Sequence, residues 1–182
     1  MERLKVATVW LGGCAGCHMS FLDLDEFLVD LAGLIELVYS PIADVKEYPE
    51  GVDVCLIEGA VCNEDNLELL HQIRRRTKVL VSFGDCAVTA NVPAMRNVLG
   101  WNNVESVLQT AYVTNAQHNP VKPTPDGIVP KLLDRVIPVH QAVHVEYYLP
   151  GCPPPAASIK ALMTQVLEGK TPALTGTQLK FG

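Results

Sequence analysis

Short apolar runs alternate with helical periodicities through the first half of the chain, and this alternation constrains the fold more than any other feature. It is the pattern of a parallel sheet wrapped by helices. Lys5–Leu11, Ile35–Tyr39, Val52–Glu58 and Lys78–Phe83 read as strands. Between them, Ser20 or Asp23 is placed to cap a helix running to about Leu31, with Asp23, Asp25 and Glu26 in a first turn that the helix dipole favours. A further helix over Asn66–Arg76 puts Leu67, Leu70 and Ile73 on one face. Every connection is a crossover, so the expected class is α/β. The simplest arrangement is a flavodoxin-like parallel sheet of order 2-1-3-4 with helices on both faces.

The second half changes character. Gln109–Val139 holds five of the thirteen prolines and no sustained period, so this Pro-rich C-terminal half is expected to be mostly irregular and to offer a docking surface for a partner. His144–Leu149 resembles a fifth strand, followed by Pro150-Gly151-Cys152-Pro153-Pro154-Pro155 and a helix over Ala156–Leu167 that Gly169 ends. At 182 residues and 48% hydrophobic, the chain reads as one domain over 1–182. Its longest apolar run, Val52–Val61, is interrupted by Asp53 and Glu58 and falls short of the ~20 residues a membrane helix needs. A net charge of −6 opposes binding to a phosphate backbone, and the basic Arg74-Arg75-Arg76 with Lys78 sits where a helix C-terminus favours cations. The N-terminus does not resemble a signal peptide and the six cysteines are widely scattered, so the expected setting is a reducing cytoplasm.

Four of those cysteines share a setting. Cys14 and Cys17 follow the first strand, Cys86 the fourth and Cys152 the fifth, each beside glycine, aspartate or proline. In a parallel sheet these loops meet at the carboxyl edge, where open α/β folds bind their ligands. Cys55 falls inside a strand and Cys62 in a polar loop. A four-thiolate set suits an iron-sulfur cluster or structural zinc, and Cys14–Cys17 alone would also suit a redox dithiol opening a helix. Structural zinc usually takes two tight pairs, whereas here a single pair is joined by two lone cysteines, a spacing that favours the larger cluster.

The segments Leu11-Gly12-Gly13-Cys14-Ala15-Gly16-Cys17-His18-Met19-Ser20-Phe21, Glu58-Gly59, Gly84-Asp85-Cys86-Ala87 and Pro150-Gly151-Cys152-Pro153-Pro154 resemble, in order and spacing, the small subunits of nickel-iron hydrogenases. The likeness is greatest to the bidirectional NAD-reducing type. What the resemblance implies is one 4Fe-4S cluster held by Cys14, Cys17, Cys86 and Cys152, proximal to a nickel-iron centre on a large partner subunit. It implies further flavin- and cluster-bearing diaphorase subunits that reduce NAD, and hydrogen chemistry on the partner rather than on this chain. Membrane-bound relatives carry more clusters on a cysteine-rich extension absent from this sequence. The related subunit of respiratory NADH dehydrogenase begins with two adjacent cysteines, whereas Cys14 and Cys17 are separated by two residues, which favours hydrogenase. Two departures stand out: Gly13 occupies a position where many small subunits have glutamate, and Asn91 stands near a usual glycine pair.

Other residues carry open roles. Glu58 is placed either to shuttle a proton or to brace the cluster loop, and His18 either to donate to a cluster sulfur or simply to pack. His140 and His144 alternate along a strand-like stretch but lack further metal ligands at suitable spacing. FMN binds near the switch point of flavodoxins, yet the equivalent turn here carries cysteines in place of serine and threonine. The crevice is therefore assigned to the cluster, with FMN kept as an extra cofactor that the resemblance suggests.

Overall fold

The computed structural model describes residues 3–100, 103–124 and 128–176. Seven strands are formed: β1 (Leu4–Trp10), β2 (Ile35–Tyr39), β3 (Val52–Glu58), β4 (Val61–Asn63), β5 (Thr77–Phe83), β6 (Leu132–Ile137) and β7 (Tyr147–Leu149). Six α-helices accompany them: α1 (Gly16–Leu22), α2 (Phe27–Leu34), α3 (Glu64–Arg76), α4 (Asp85–Thr89), α5 (Asn103–Gln109) and α6 (Ala156–Leu167). The main sheet runs β2-β1-β3-β5-β7 and all its pairings are parallel. This is the flavodoxin-like order expected from the crossovers, with the fifth strand added at the edge beyond β5.

Both faces of the sheet are covered, which is why its central strands are nearly continuous apolar runs. On one face Val6, Leu56, Val81, Phe83 and Leu149 pack with Leu31 of α2 and with Ile159, Leu162 and Met163 of α6. On the other, Ala7, Val9, Cys55, Ile57 and Leu80 pack with Leu70 and Ile73 of α3 and with Val139. Helix α3 starts where Asn63 accepts the Asn66 N–H at 2.8 Å, ahead of the apolar stripe.

Two local expectations need correction, and a third holds in the main. The single helix from Ser20 or Asp23 is two helices: α1 begins at Gly16, Asp23 caps its C-terminus, and Asp25 at φ 50° breaks the chain before α2. Ser20 lies inside α1 and bonds elsewhere. The fifth strand is only Tyr147–Leu149, because Arg74 takes up the residues before it, donating to the His144 carbonyl and to both oxygens of Glu146. The Pro-rich stretch Gln109–Val139 is mostly irregular as expected, with no regular element among its described residues from Asn115 to Lys131. It opens on a π-turn at Thr110–Thr114 that continues α5, and its strand β6 pairs antiparallel with β4. Arg96 and Asn97, on a 3-10 segment over Val92–Leu99, clasp β6: Arg96 Nη2 donates to Leu133 O at 2.6 Å, and Asn97 both donates to Val136 O and accepts its N–H. Cys62 therefore sits in β4 rather than in a loop.

Candidate metal centre

Four neighbouring strands deliver the predicted residues to one rim. The carboxyl end of β1 leads to Cys14 and Cys17, β3 ends in Glu58, β5 leads to Cys86 and β7 to Cys152. These are consecutive positions across the sheet, so crossovers long in sequence become short distances in space. Beyond their parallel ladders the loops are stitched together by main-chain bonds: Leu11 N–H to Glu58 O, a reciprocal Gly12–Ala60 bridge, Gly84 N–H to Leu149 O and Asp85 N–H to Gly151 O, all between 2.8 and 2.9 Å.

Cys17 is buried at the start of α1, and its sulfur lies against the Cys86 loop. A Cβ added to Gly84, which has φ +85°, would come within 2.1 Å of Cys17 Sγ, so glycine is the residue that leaves room for the sulfur there. Cys86 is half-buried, while Cys14 and Cys152 are exposed. Burial, and then the charges of Glu58, Cys86, Cys14 and Cys152, push the Cys17 thiol well above its ordinary value. Burial and the neighbouring Cys14 and Cys152 push Cys86 up to about 11. Cys17 and Cys86 thus both feel the sulfurs of Cys14 and Cys152. All six cysteines are free. Cys55, fully enclosed in the core, has its thiol raised to about 12 by burial and lies away from this rim on β3.

Among the described residues, no three His, Cys, Asp or Glu side chains are already gathered as a single-ion site. The four cysteines of three loops at one rim are soft thiolate donors of the kind that an iron-sulfur cluster or a zinc ion takes.

Glu58 is 3% exposed and stands in the bracing position. Its Oε2 accepts the His18 N–H at 3.0 Å and also contacts His18 Nδ1, while Oε1 accepts the Cys17 N–H at 3.4 Å. An open cleft of ≈ 280 Å³ lined by Trp10, Leu11, Gly13, Cys14, Ala15 and Glu58 borders the carboxylate. His18 packs edge-on to Trp10 at 5.2 Å and near Phe83, and its Nε2 is buried without a partner among the described residues. His140 lies in a 3-10 turn against Tyr148, and exposed His144 faces Glu146 at 3.5 Å, so neither is on a strand. The roles of two residues escaped the sequence reading. Asp85 Oδ1 accepts the Gly151 N–H at 2.7 Å, and the Ser20 hydroxyl donates to Pro154 O at 2.6 Å. Their position inside the cysteine motifs was the available signal.

No helix among the described residues is long and apolar enough to cross a membrane. The family described as NADH ubiquinone oxidoreductase, 20 Kd subunit, matches residues 14–166, a span that starts at Cys14 and includes Cys152. The chain is 41% identical over 174 residues to one subunit of the F420-non-reducing hydrogenase vhu of Methanococcus voltae, covering 95% of this chain and 59% of that one. It therefore spans under two thirds of that relative's length. It is 38% identical over 173 residues to the NAD-reducing hydrogenase HoxS subunit delta of Cupriavidus necator, covering 92% and 80% of the two. A chain in the solved structure of an NAD+-reducing NiFe hydrogenase in the H2-reduced state matches with a TM-score of 0.93 at 39% identity, over 100% of both. A NiFeSe hydrogenase chain from Dm. baculatum shares the fold at a TM-score of 0.58 and 17% identity. The chain belongs to the NADH ubiquinone oxidoreductase 20 Kd subunit family, in which it stands beside the subunits of NAD-reducing hydrogenases that it resembles.

Proposed function

We propose that the chain is the small subunit of an NAD-reducing nickel-iron hydrogenase, holding one proximal 4Fe-4S cluster on Cys14, Cys17, Cys86 and Cys152. It passes electrons between a nickel-iron large subunit and the flavin- and cluster-bearing diaphorase subunits that reduce NAD. The observation that supports this reading most is that β1, β5 and β7 of one parallel sheet lead to these four cysteines at a single rim. When bound, such a cluster supplies reversible one-electron storage at a potential that ligand hydrogen bonds and burial adjust.

The chain's own residues do the rest. Cys14 and Cys152, exposed, face the side from which a partner centre can approach, and Cys17 and Cys86 close the inner side. Glu58 holds the Cys17 and His18 amides, so that the first turn of α1 keeps its thiol fixed as charge comes and goes. Exposed Trp10, Met19 and Leu22 border the same rim, and Tyr112, Val121 and Val129 are exposed on the second half of the chain. These are apolar surfaces suited to burial in a multi-subunit assembly. A reducing cytoplasm would keep all six thiols free for this role.

Anaerobic isolation of the complex, with metal and sulfide analysis and low-temperature electron paramagnetic resonance, tests the reading. About four irons and four sulfides per chain are expected. Cys152→Ser should uncouple hydrogen oxidation from NAD reduction. Zinc without sulfide would select a metal-stabilised interaction module instead, retained FMN without iron a flavoprotein, and normal coupling in the variant would remove the relay.

A further inference from the structure

Cys86 and Cys152 come from loops far apart in sequence, and Asp85 binds one to the other twice. Its N–H donates to the Gly151 carbonyl at 2.9 Å, and its Oδ1 accepts the Gly151 N–H at 2.7 Å. The residue before Cys86 and the residue before Cys152 thus form a closed two-bond ring. One step further back, Gly84 N–H donates to Leu149 O at 2.8 Å. From the other side, the Ser20 hydroxyl of α1 reaches Pro154 O at 2.6 Å, just beyond Cys152. Gly151 itself is buried at φ +135°, with space for a Cβ blocked 2.5 Å away by Pro154 Cα, so the loop has little freedom to adopt another path. No lysine or arginine pairs with Asp85 among the described residues, which leaves its charge directed at the Gly151 amide.

We propose that Asp85 is a positioning residue: it locks the Cys86 and Cys152 loops into one unit and so fixes the fourth sulfur of the site, with Ser20 steadying the same loop from α1. The proposal rests on the cluster reading above. It has a specific chemical consequence. Without the Asp85 carboxylate, the Cys152 loop alone loses one of its supports while those of Cys14, Cys17 and Cys86 are untouched, so the iron at that corner is the one released. With ferricyanide as oxidant, a 4Fe-4S centre of charge 2+ gives up one electron and one Fe2+ and leaves a 3Fe-4S centre of charge 1+; ferricyanide takes the electron and becomes ferrocyanide.

The test uses the complex co-purified anaerobically, as wild type and as Asp85→Ala, Asp85→Asn and Ser20→Ala. Iron and sulfide counts, thermal unfolding and the growth of the three-iron paramagnetic signal under ferricyanide are followed together. Asp85→Ala should convert roughly tenfold faster than wild type, the factor carried by one lost charge-assisted hydrogen bond. Asp85→Asn, which retains the Oδ1 acceptor, should stay within about threefold, and Ser20→Ala should fall between. Equal rates in wild type and Asp85→Ala, or Asp85→Asn as fast as Asp85→Ala, would overturn the proposal. If Asp85→Ala does not fold, Ser20→Ala decides, and a rate equal to wild type counts against it. Wild type lacking iron and sulfide would instead sink the cluster reading itself.

Discussion

The two ends of the main sheet handle their carboxylates in opposite ways. At the amino end, Asp53 takes the Lys5 N–H and the Lys78 ammonium, both at 2.8 Å, and Glu146 takes Arg74 and the Leu80 N–H. Arg74 also reaches the carbonyls of His144, Thr77 and Lys78, so one guanidinium ties α3, β5 and the approach to β7 together. At the carboxyl end, Glu58 and Asp85 meet backbone amides and a histidine, and among the described residues no lysine or arginine pairs with them. The amino end neutralises charge to hold the fold. The carboxyl end uses its carboxylates to orient the loops that carry cysteines.

If that division is right, changes at one end should alter cofactor content and changes at the other should alter stability. The largest effect is expected for Gly84→Ala, which places a Cβ on Cys17 Sγ in a backbone conformation that L residues rarely adopt. A cost of about 2–5 kcal/mol follows from backbone strain and overpacking, with iron content falling more steeply than the urea midpoint. Next comes Arg74→Ala. Loss of its several bonds at a quarter-exposed site should cost about 2 kcal/mol by urea unfolding, with iron per folded chain unchanged. Arg74→Lys should recover less than half, because an ammonium cannot fork to the same acceptors.

A smaller effect is set by pH. For Asp53, burial would raise the pKa, but the hydrogen bonds and charge of Lys78 with the Lys5 N–H outweigh it and hold the carboxyl low. For Glu146, burial is likewise outweighed by the Leu80 N–H and Arg74. Groups depressed in the folded state stabilise it fully above their unfolded values near pH 4, and that contribution is lost as pH falls through the folded pKa. Unfolding followed from pH 7 down to about pH 2 should show this loss, with a shallower slope in Glu146→Gln. The smallest effect belongs to Ser82, next to last on β5. Its Oγ is fully buried with no partner among the described residues, so Ser82→Ala should be neutral or stabilise by up to about 1 kcal/mol, with iron per folded chain unchanged.

The same division explains how much could be read in advance. Strands such as Val52–Glu58 are legible because a parallel strand covered on both faces must be apolar throughout, and the cysteines are legible because strand ends in this topology share a rim. What stayed hidden depends on partners distant in sequence. The three residues of β4 carry no period of their own and exist because β6 arrives to pair with them. The break at Asp25 turns on one residue at positive φ, which aspartate permits without announcing. For Glu58 the sequence left open a proton carrier, a brace of the cysteine loop and a plain cap or loop anchor; the hydrogen bonds to Cys17 and His18 favour a residue that holds the loop. Ser20 looked like a helix cap, and only the fold brings Pro154 to its hydroxyl.

The shortness of β7 has a consequence for how the site is filled. Three residues long and paired on one side only, it is the least secured strand of the main sheet, yet it leads directly to Cys152. Local opening at this border costs less than opening anywhere among β1, β3 and β5. A brief lifting of this flap would carry the already exposed Cys152 outward against the bonds from Asp85 and Ser20 and widen the mouth of the site, a way in for an inorganic core that does not require unfolding the protein.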